Sequence, residues 1–536
     1  MCTATNLSSK LMLKIGKWRL LLLLFMLPYV SLLILDLAKM TLYWDEANNL
    51  IGGLLILRGL LPRYLETNMF YPPLADVTIS GYFAVFGVSV FSGRLLGVTF
   101  AVLSIIVTFE LANRLYDAKT AFLASVFLAT TTGFVWLARL TMLETMLIFF
   151  FSATILLFFI WLQKHENKYL ILSGLTLGLG FLTKYQVVIA LIAMIVSICL
   201  LCRGQIKAKL KRFPLLVLTA ILVALPWIII AYQSYSAGML NQWLYALQMG
   251  NPDKAVYSSR FPAPVFYLIE MVWPYSSFHP ISFLLYGLGL AGLALFFLRR
   301  KPQDKYLLIF FFVVYIFFSL IGNKEWRYIV PVFPIISISA ASLITHAYDL
   351  TKKAAKNASP SLAKRRTNKF LSVALLILVA FTLTYNCLDT YQWMSTRSTF
   401  EVPVKEATEY VAAKLGNNES LAVLCAVNVF SQDIVRFYLY AEESRPQRVA
   451  QYPSKPVDAY TPTFNTSELS ELCATRNIKY LMLFEYGGRY PYFNSTLNSE
   501  QVYNTLTDSQ LFKYQNSFGE YPCRIYIFTF EPHQSE

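Results

Sequence analysis

Residues 144 to 162 read ETMLIFFFSATILLFFIWL, with Glu144 as the only charge before Lys164. Wound as a helix, the stretch is about 28 Å long. A bilayer's hydrocarbon core is about 30 Å thick, so the stretch predicts a crossing. Working outward, comparable apolar runs recur at 20–36, 94–113, 120–138, 169–183, 185–202, 213–232, 277–298, 306–321, 328–347 and 370–386. Over all 536 residues, 56% are hydrophobic and 14% charged. Soluble domains carry about a quarter charged residues, which excludes an ordinary soluble enzyme. The expected fold is an α-helical polytopic membrane protein with about eleven transmembrane helices.

Net charge is +15, and its placement decides what it means. If the N-terminus is cytoplasmic, the inner loops hold 24 of the 46 Lys and Arg, with only Asp117, Glu166, Asp304 and Asp349 against them. The outer loops hold ten basic residues, so the excess is an orientation signal and not a nucleic-acid patch. The same count assigns the apolar segment from Pro72 to Phe91. As a crossing it would invert every later loop, so it is expected to lie along the outer surface. The first run lacks a small-residue cleavage site and reads as a retained anchor. The expected organisation is a membrane unit over 1–386 with outer loops 37–93 and 233–276, a linker over 387–400, and an extracytoplasmic domain over 401–536. That tail has 11 basic and 16 acidic residues. Short apolar runs at Leu421–Val427, Tyr480–Phe484 and Arg524–Phe530 predict strands, and Ser467–Thr475 a helix, making a small α/β unit.

Asn418, Asn465 and Asn494 head glycosylation-type triplets in the tail, and Asn357 heads one in an inner loop. Cys387, Cys425, Cys473 and Cys523 allow one or two disulfides without fixing a pairing. The four His are scattered, with no HExxH and no CxxC pair, which argues against a dedicated zinc site. There is no Gly-rich phosphate loop, which argues against a nucleotide-driven pump.

The residues suited to chemistry cluster at outer helix ends. Asp45 and Glu46 stand where the first span leaves the membrane, and two adjacent acids at that boundary are costly unless solvated or used. The bland alternative makes Asp45 the cap of a helix from Glu46 to Leu57. Glu144 follows Arg139, and alone it would merely favour a helix start. Arg94, Lys184, Lys324, Arg327 and Tyr328 form the basic group. Each cation suits lipid headgroups by snorkelling, whereas together with the carboxylates they suit a substrate phosphate at the membrane surface. Arg260, in the long outer loop, is a further phosphate candidate; that loop is of the length that closes over substrates.

These motifs, in order, resemble a known family. They are Asp45-Glu46, Tyr71-Pro72-Pro73-Leu74 with Phe86-Gly87, Arg94, Arg139 with Glu144, Gly178 to Lys184, Leu225-Pro226-Trp227, and Arg327-Tyr328 followed by Pro331 and Pro334. The sequence resembles the integral-membrane glycosyltransferases of the GT-C class, in the branch of the protein O-mannosyltransferases and the aminoarabinose transferase of lipid A. The resemblance implies transfer of a sugar from a polyprenyl-phosphate donor to a protein, lipid or glycan hydroxyl on the outer face. It implies Asp45 as catalytic acid-base residue with Glu46 and Glu144 beside it. Lys184, Arg94, Arg327, Tyr328, Arg139 and Arg260 are the expected donor-phosphate residues. A divalent cation is left open, since only carboxylates are offered. The chain departs from the family in having Glu at 144 where Asp is usual, and Tyr at 71 where His or Lys is usual. The rival class is a transporter or lipid flippase, which predicts midplane ionisable residues and internal repeats.

Overall fold

A computed structural model describes residues 16–67, 71–236, 238, 241, 258–273, 279–357, 362–398, 401–427, 429–442, 448–453, 464–486 and 498–531. Each apolar run is helical: α1 Lys17–Ile34, α4 Val90–Leu115, α5 Ala118–Ala129 with α6 Thr132–Ala138, α7 Glu144–Lys164, α8 Asn167–Phe181, α9 Ile189–Leu201, α10 Pro214–Tyr235, α11 Phe283–Arg299, α12 Pro302–Leu320, α13 Phe333–Asn357 and α14 Leu362–Ser398. Between α1 and α4 lie α2 Trp44–Leu57 and α3 Leu74–Phe86. Among the described residues seven helical segments are long and apolar enough to cross a membrane, or eight if α5 and α6, bent by 69°, form one span. The count of eleven is therefore not reached on length and apolarity. The third run breaks at Thr130–Thr131, and the run at 185 begins as a 3-10 turn that leaves 13 α-helical residues. Helix α3 has 13 residues, about 20 Å, too short to cross, and it packs against α2.

The interior is built on α7 and on α13 with the 3-10 turn that leads into it (Trp326–Val332), the most buried of the candidate crossings. Without water in hydrocarbon, helix association relies on close packing, which small residues permit. Gly97 on α4 shows the need: an added Cβ would collide with the Ala138 carbonyl at the end of α6 and the Leu140 carbonyl in the turn after it.

The expected linker is corrected. Helix α14 runs 37 residues without a break, through 387 to 398, because Asn386, Asp389 and Trp393 are held by Ser282, Thr132 and Trp136. Beyond it, β1 Ser420–Leu424, β2 Val449–Tyr452, β3 Ile478–Tyr486, β4 Phe512–Phe518 and β5 Cys523–Phe530 form one sheet in the order β2-β1-β3-β5-β4. The first three strands are parallel, and β5 is antiparallel to β3 and β4. Helices α15 Val404–Ala412, α16 Gln432–Glu442, α17 Thr466–Thr475 and α18 Ser499–Asp508 complete the unit. Strand alternation divides it into two cores. Leu421, Val423, Met482, Ile525 and Ile527 face α15, α16 and, across the unit's boundary, α2. Ala422, Leu424, Leu481 and Phe528 face α17 and α18.

The expected strand over Leu421–Val427 stops at Leu424, where Cys425 turns the chain with φ +56°. Cys387, Cys425, Cys473 and Cys523 are free thiols, so no tail disulfide forms among the described residues. Asn418 is exposed ahead of β1. Asn465 is the N-cap of α17, its amide oxygen accepting from the Ser467 and Glu468 N–H groups. Asn494 and the Asn357 side chain lie outside the described residues.

Gly97→Ala is expected to destabilise the protein by about 1–3 kcal/mol through overpacking. Gly81→Ala, where a Cβ meets nothing within 4 Å, should be neutral or slightly stabilising. Melting of the detergent-purified variants compares the two.

Candidate active site

The site is assembled around the first turn of α2. Glu46 is its third helical residue, and Glu46 Oε2 accepts from the Tyr43 N–H at 3.2 Å, satisfying a backbone donor that helix geometry leaves without a partner. Both Glu46 oxygens also accept from Arg94, Oε1 from Nε at 2.9 Å and Oε2 from Nη2 at 2.8 Å. Both side chains are 0% exposed. Arg94 gives its other donors to the carbonyls of Leu37, Met40 and Thr41. All five guanidinium N–H groups are thus used, and a buried ion pair is tolerable only when satisfied in this way. This corrects two expectations: Arg94 has no donor left for a phosphate, and Glu46 has no carboxylate face left for a substrate.

The pair also fixes the next segment. Glu46 Oε1 accepts from the Thr141 N–H at 2.8 Å, and Asn49 Nδ2 donates to the Thr141 carbonyl at 2.7 Å. Both backbone groups of Thr141 are held by α2, which sets Glu144 at the start of α7 beside Asp45. Arg139 is corrected as well. It donates to the carbonyls of Leu32, Leu33 and Leu35, the negative end of α1.

Asp45 accepts no N–H at the start of α2, so the cap reading fails and Glu46 fills that place. Asp45 Oδ2 accepts from Arg327 Nη1 at 2.8 Å, and the Asp45 side chain is 47% exposed. Arg327 also pairs with Glu325 and lies 4.0 Å from Glu144. Lys184 donates to Glu144 Oε1 at 2.9 Å and stands 5.8 Å over the Tyr328 ring. Lys184 is presented by the end of α8, where its N–H bonds to the Gly180 carbonyl. The neighbouring Leu182 carbonyl accepts from the Leu74 N–H at 2.9 Å, drawing in the Tyr71-Pro72-Pro73 turn. The Tyr71 phenol is acted on electrostatically by Asp45, Tyr328, Glu144 and Arg327.

Asp45, Glu144, Lys184, Arg327 and Tyr328 are thus brought together as the sequence suggests, while Glu46, Arg94 and Arg139 form the frame. Glu325 was missed, although the string Lys324-Glu325-Trp326-Arg327 places an acid two residues before the central guanidinium. Lys324 turns its ammonium to the Ile321 carbonyl. Arg260 pairs with Glu270, and its segment is fastened to the site's edge by Ser258, whose Oγ accepts from the Lys324 N–H at 2.9 Å. Most of the outer loop, including Trp243 and Tyr245, lies outside the described residues. Among the described residues no three of His, Cys, Asp and Glu converge on a metal-sized space. The guanidinium of Arg327 stands among Asp45, Glu144 and Glu325.

Comparison with known proteins follows this geometry. Residues 71–230 match the family described as dolichyl-phosphate-mannose-protein mannosyltransferase. The chain is 26% identical over 279 residues to undecaprenyl phosphate-alpha-4-amino-4-deoxy-L-arabinose arabinosyl transferase 2 of Proteus mirabilis, covering 51% of this chain and 49% of that one. It is 26% identical over 309 residues to the corresponding transferase of Aeromonas hydrophila, covering 56% and 54%. The chain therefore spans about half the length of the curated relatives it matches. Across almost its whole length the structure superposes on ArnT from Cupriavidus metallidurans in the apo state, with a TM-score of 0.63 at 13% identity, covering 95% and 97% of the two chains. ArnT bound to undecaprenyl phosphate gives 0.60. This is an integral membrane protein with the fold of the GT-C glycosyltransferases. The likeness to ArnT extends over the C-terminal sheet unit as well as the helices.

The two adjacent acids are expected to separate in stability. Glu46→Gln leaves a buried guanidinium charge unpaired and should cost about 3–5 kcal/mol. Asp45→Asn, at a half-exposed position, should leave the melting temperature of the purified protein close to wild type.

Proposed function

We propose that the chain transfers a sugar from a polyprenyl-phosphate-linked donor to an acceptor hydroxyl on the outer face of the membrane, by one inverting displacement. The observation that carries this reading is Asp45, a half-exposed carboxylate held by Arg327 beside the Glu144–Lys184 pair. The ordered motifs and the likeness to polyprenyl-phosphate-dependent transferases support it, and the transporter reading gains nothing from either. The charge count supports a cytoplasmic N-terminus and an outer C-terminal unit.

An acceptor hydroxyl is a weak nucleophile, and Asp45 takes its proton as the oxygen attacks the anomeric carbon. The bond from that carbon to the phosphate oxygen breaks, and single displacement inverts the centre. The leaving polyprenyl phosphate carries the negative charge, which Lys184 and Arg327 stabilise. Tyr328 lies alongside, and Arg260 is the candidate that the outer loop adds. Both cations are already paired with carboxylates, so the phosphate enters by exchange. It takes Arg327 from Asp45, which leaves Asp45 open towards the acceptor as the donor is seated. Tyr71 brings no positive charge to this exchange, so the burden falls on Lys184 and Arg327. The sugar and the acceptor, whether protein, lipid or glycan, depend on pocket walls that include the outer loop.

The test is turnover of a radiolabelled polyprenyl-phosphate sugar by the purified protein in lipid, with and without chelator, which also decides dependence on a divalent cation. Asp45→Asn should lower turnover by about 10²-fold or more while donor binding persists. Lys184→Ala should weaken donor binding. Equal consumption of donor by wild type and Asp45→Asn would remove Asp45 from the chemistry. Binding and export of intact donor without cleavage would return the transporter reading.

A further inference from the structure

The C-terminal unit reaches the site through the residue beside Asp45. Trp44 Nε1–H donates to Asp433 Oδ2 at 2.8 Å, a contact spanning 389 positions of sequence. Asp433 sits in the first turn of α16, where the helix dipole favours a carboxylate. Its other oxygen accepts from Arg436 Nη1 at 2.9 Å, and its side chain is 10% exposed. The acceptor offered to Trp44 is therefore oriented from two sides and shielded from water. Around it, Ile434, Val435 and Phe437 of α16 share one apolar core with Ala47, Leu50 and Leu54 of α2. A second tie lies just upstream, where the Val402 N–H donates to Thr41 Oγ1 at 3.3 Å.

Trp44 and Asp45 are the first two residues of α2, in the turn whose backbone N–H groups have no intrahelical partner and which frays most readily. Glu46 anchors the third residue from inside the membrane unit. Asp45 itself is held by Arg327, the group that an arriving phosphate competes for. When Arg327 turns to the phosphate, Asp45 loses that restraint, and the Trp44–Asp433 hydrogen bond continues to hold the turn. We propose that Asp433 is a positioning residue for Asp45: through Trp44 the C-terminal unit sets the direction in which the Asp45 carboxylate points. The inference rests on Asp45 being the base. It gives the C-terminal unit a part in turnover that does not require it to touch donor or acceptor.

Two measurements on the full-length protein in lipid test it. In the first, donor turnover is compared for wild type, Asp433→Ala, Asp433→Asn, Trp44→Phe and the Trp44→Phe/Asp433→Ala pair. A misplaced base should lower kcat roughly tenfold and leave donor KM within about twofold. The double variant should be no worse than either single one, and Asp433→Asn, which keeps an acceptor, should recover most of the rate. Wild-type kcat in Asp433→Ala, a loss confined to KM, or losses that multiply in the double variant would each overturn the inference.

The second measurement needs no turnover. A nitroxide on Asn48→Cys, at an exposed position of α2 in a background lacking the native cysteines, reports mobility of the turn. Its spectrum should sharpen in Asp433→Ala and in Trp44→Phe and stay as wild type in Asp433→Asn. No change in the first two overturns the positioning role. If the wild type consumes no donor, the transferase reading fails by itself, and the nitroxide still decides whether Asp433 holds the turn.

Discussion

The ion pair of Glu46 with Arg94 is the constraint on which the site depends. Neither charge meets water, and the pair exists because every donor of the guanidinium and both oxygens of the carboxylate are matched. Removing a buried ion pair's partners one at a time is costly because a stranded charge remains. The geometry that satisfies this pair is correspondingly unforgiving. It fixes the carbonyls at 37, 40 and 41, the start of α2 and the backbone of Thr141. Through those points, the end of α1, the outer loop and the start of α7 converge. Arg139 adds a second clasp to the last carbonyls of α1.

Against that fixed frame stands a second set of charges that is only partly neutralised. Asp45, Glu144 and Glu325 surround Arg327, with Lys184 on Glu144. Three carboxylates outnumber two cations, so the cluster is formally negative, and a phosphate arriving there must displace carboxylates from their cations. Because the Asp45 side chain is 47% exposed, water can take up its carboxylate once a phosphate draws Arg327 away, and that exchange is feasible. For the buried frame it is not. Exposure thus separates Asp45, which can react, from its neighbour Glu46, which holds, even though both are carboxylates paired with an Arg.

That separation also explains what the sequence could and could not reveal. Apolar runs locate the helices because hydrocarbon imposes a length and excludes charge. Short apolar runs locate β1, β3 and β5 because both faces of the sheet are covered. The carboxylates and cations of the site are visible as chemistry confined to helix ends. What is not visible is partnership. An Arg near hydrocarbon looks the same whether it binds a phosphate, snorkels or caps carbonyls. Arg94 and Arg139 are sorted only by partners lying between 48 and 107 positions away. Glu325 was passed over because a lone acid beside basic residues looks like local charge balance. The break at Thr130–Thr131 and the continuation of α14 through the expected linker are set by side chains on other helices. The join between α16 and α2 spans almost four hundred residues, and no local pattern marks it.

The adjacency of Asp45 and Glu46 shows how a single helical turn produces two roles. Successive residues on an α-helix point about 100° apart, so two neighbouring carboxylates cannot face the same partner. Here the second points inward to Arg94 and the first outward to Arg327. The inward carboxylate makes α2 immobile at its third residue, and the outward one inherits that immobility without being buried. A base needs both properties: access to the acceptor and a fixed direction. A single acid at this position could be exposed but would lack the anchor, and a buried one would lack the access. With the indole of Trp44 held from the C-terminal unit on the other side of Asp45, the reactive carboxylate stands between two anchored neighbours.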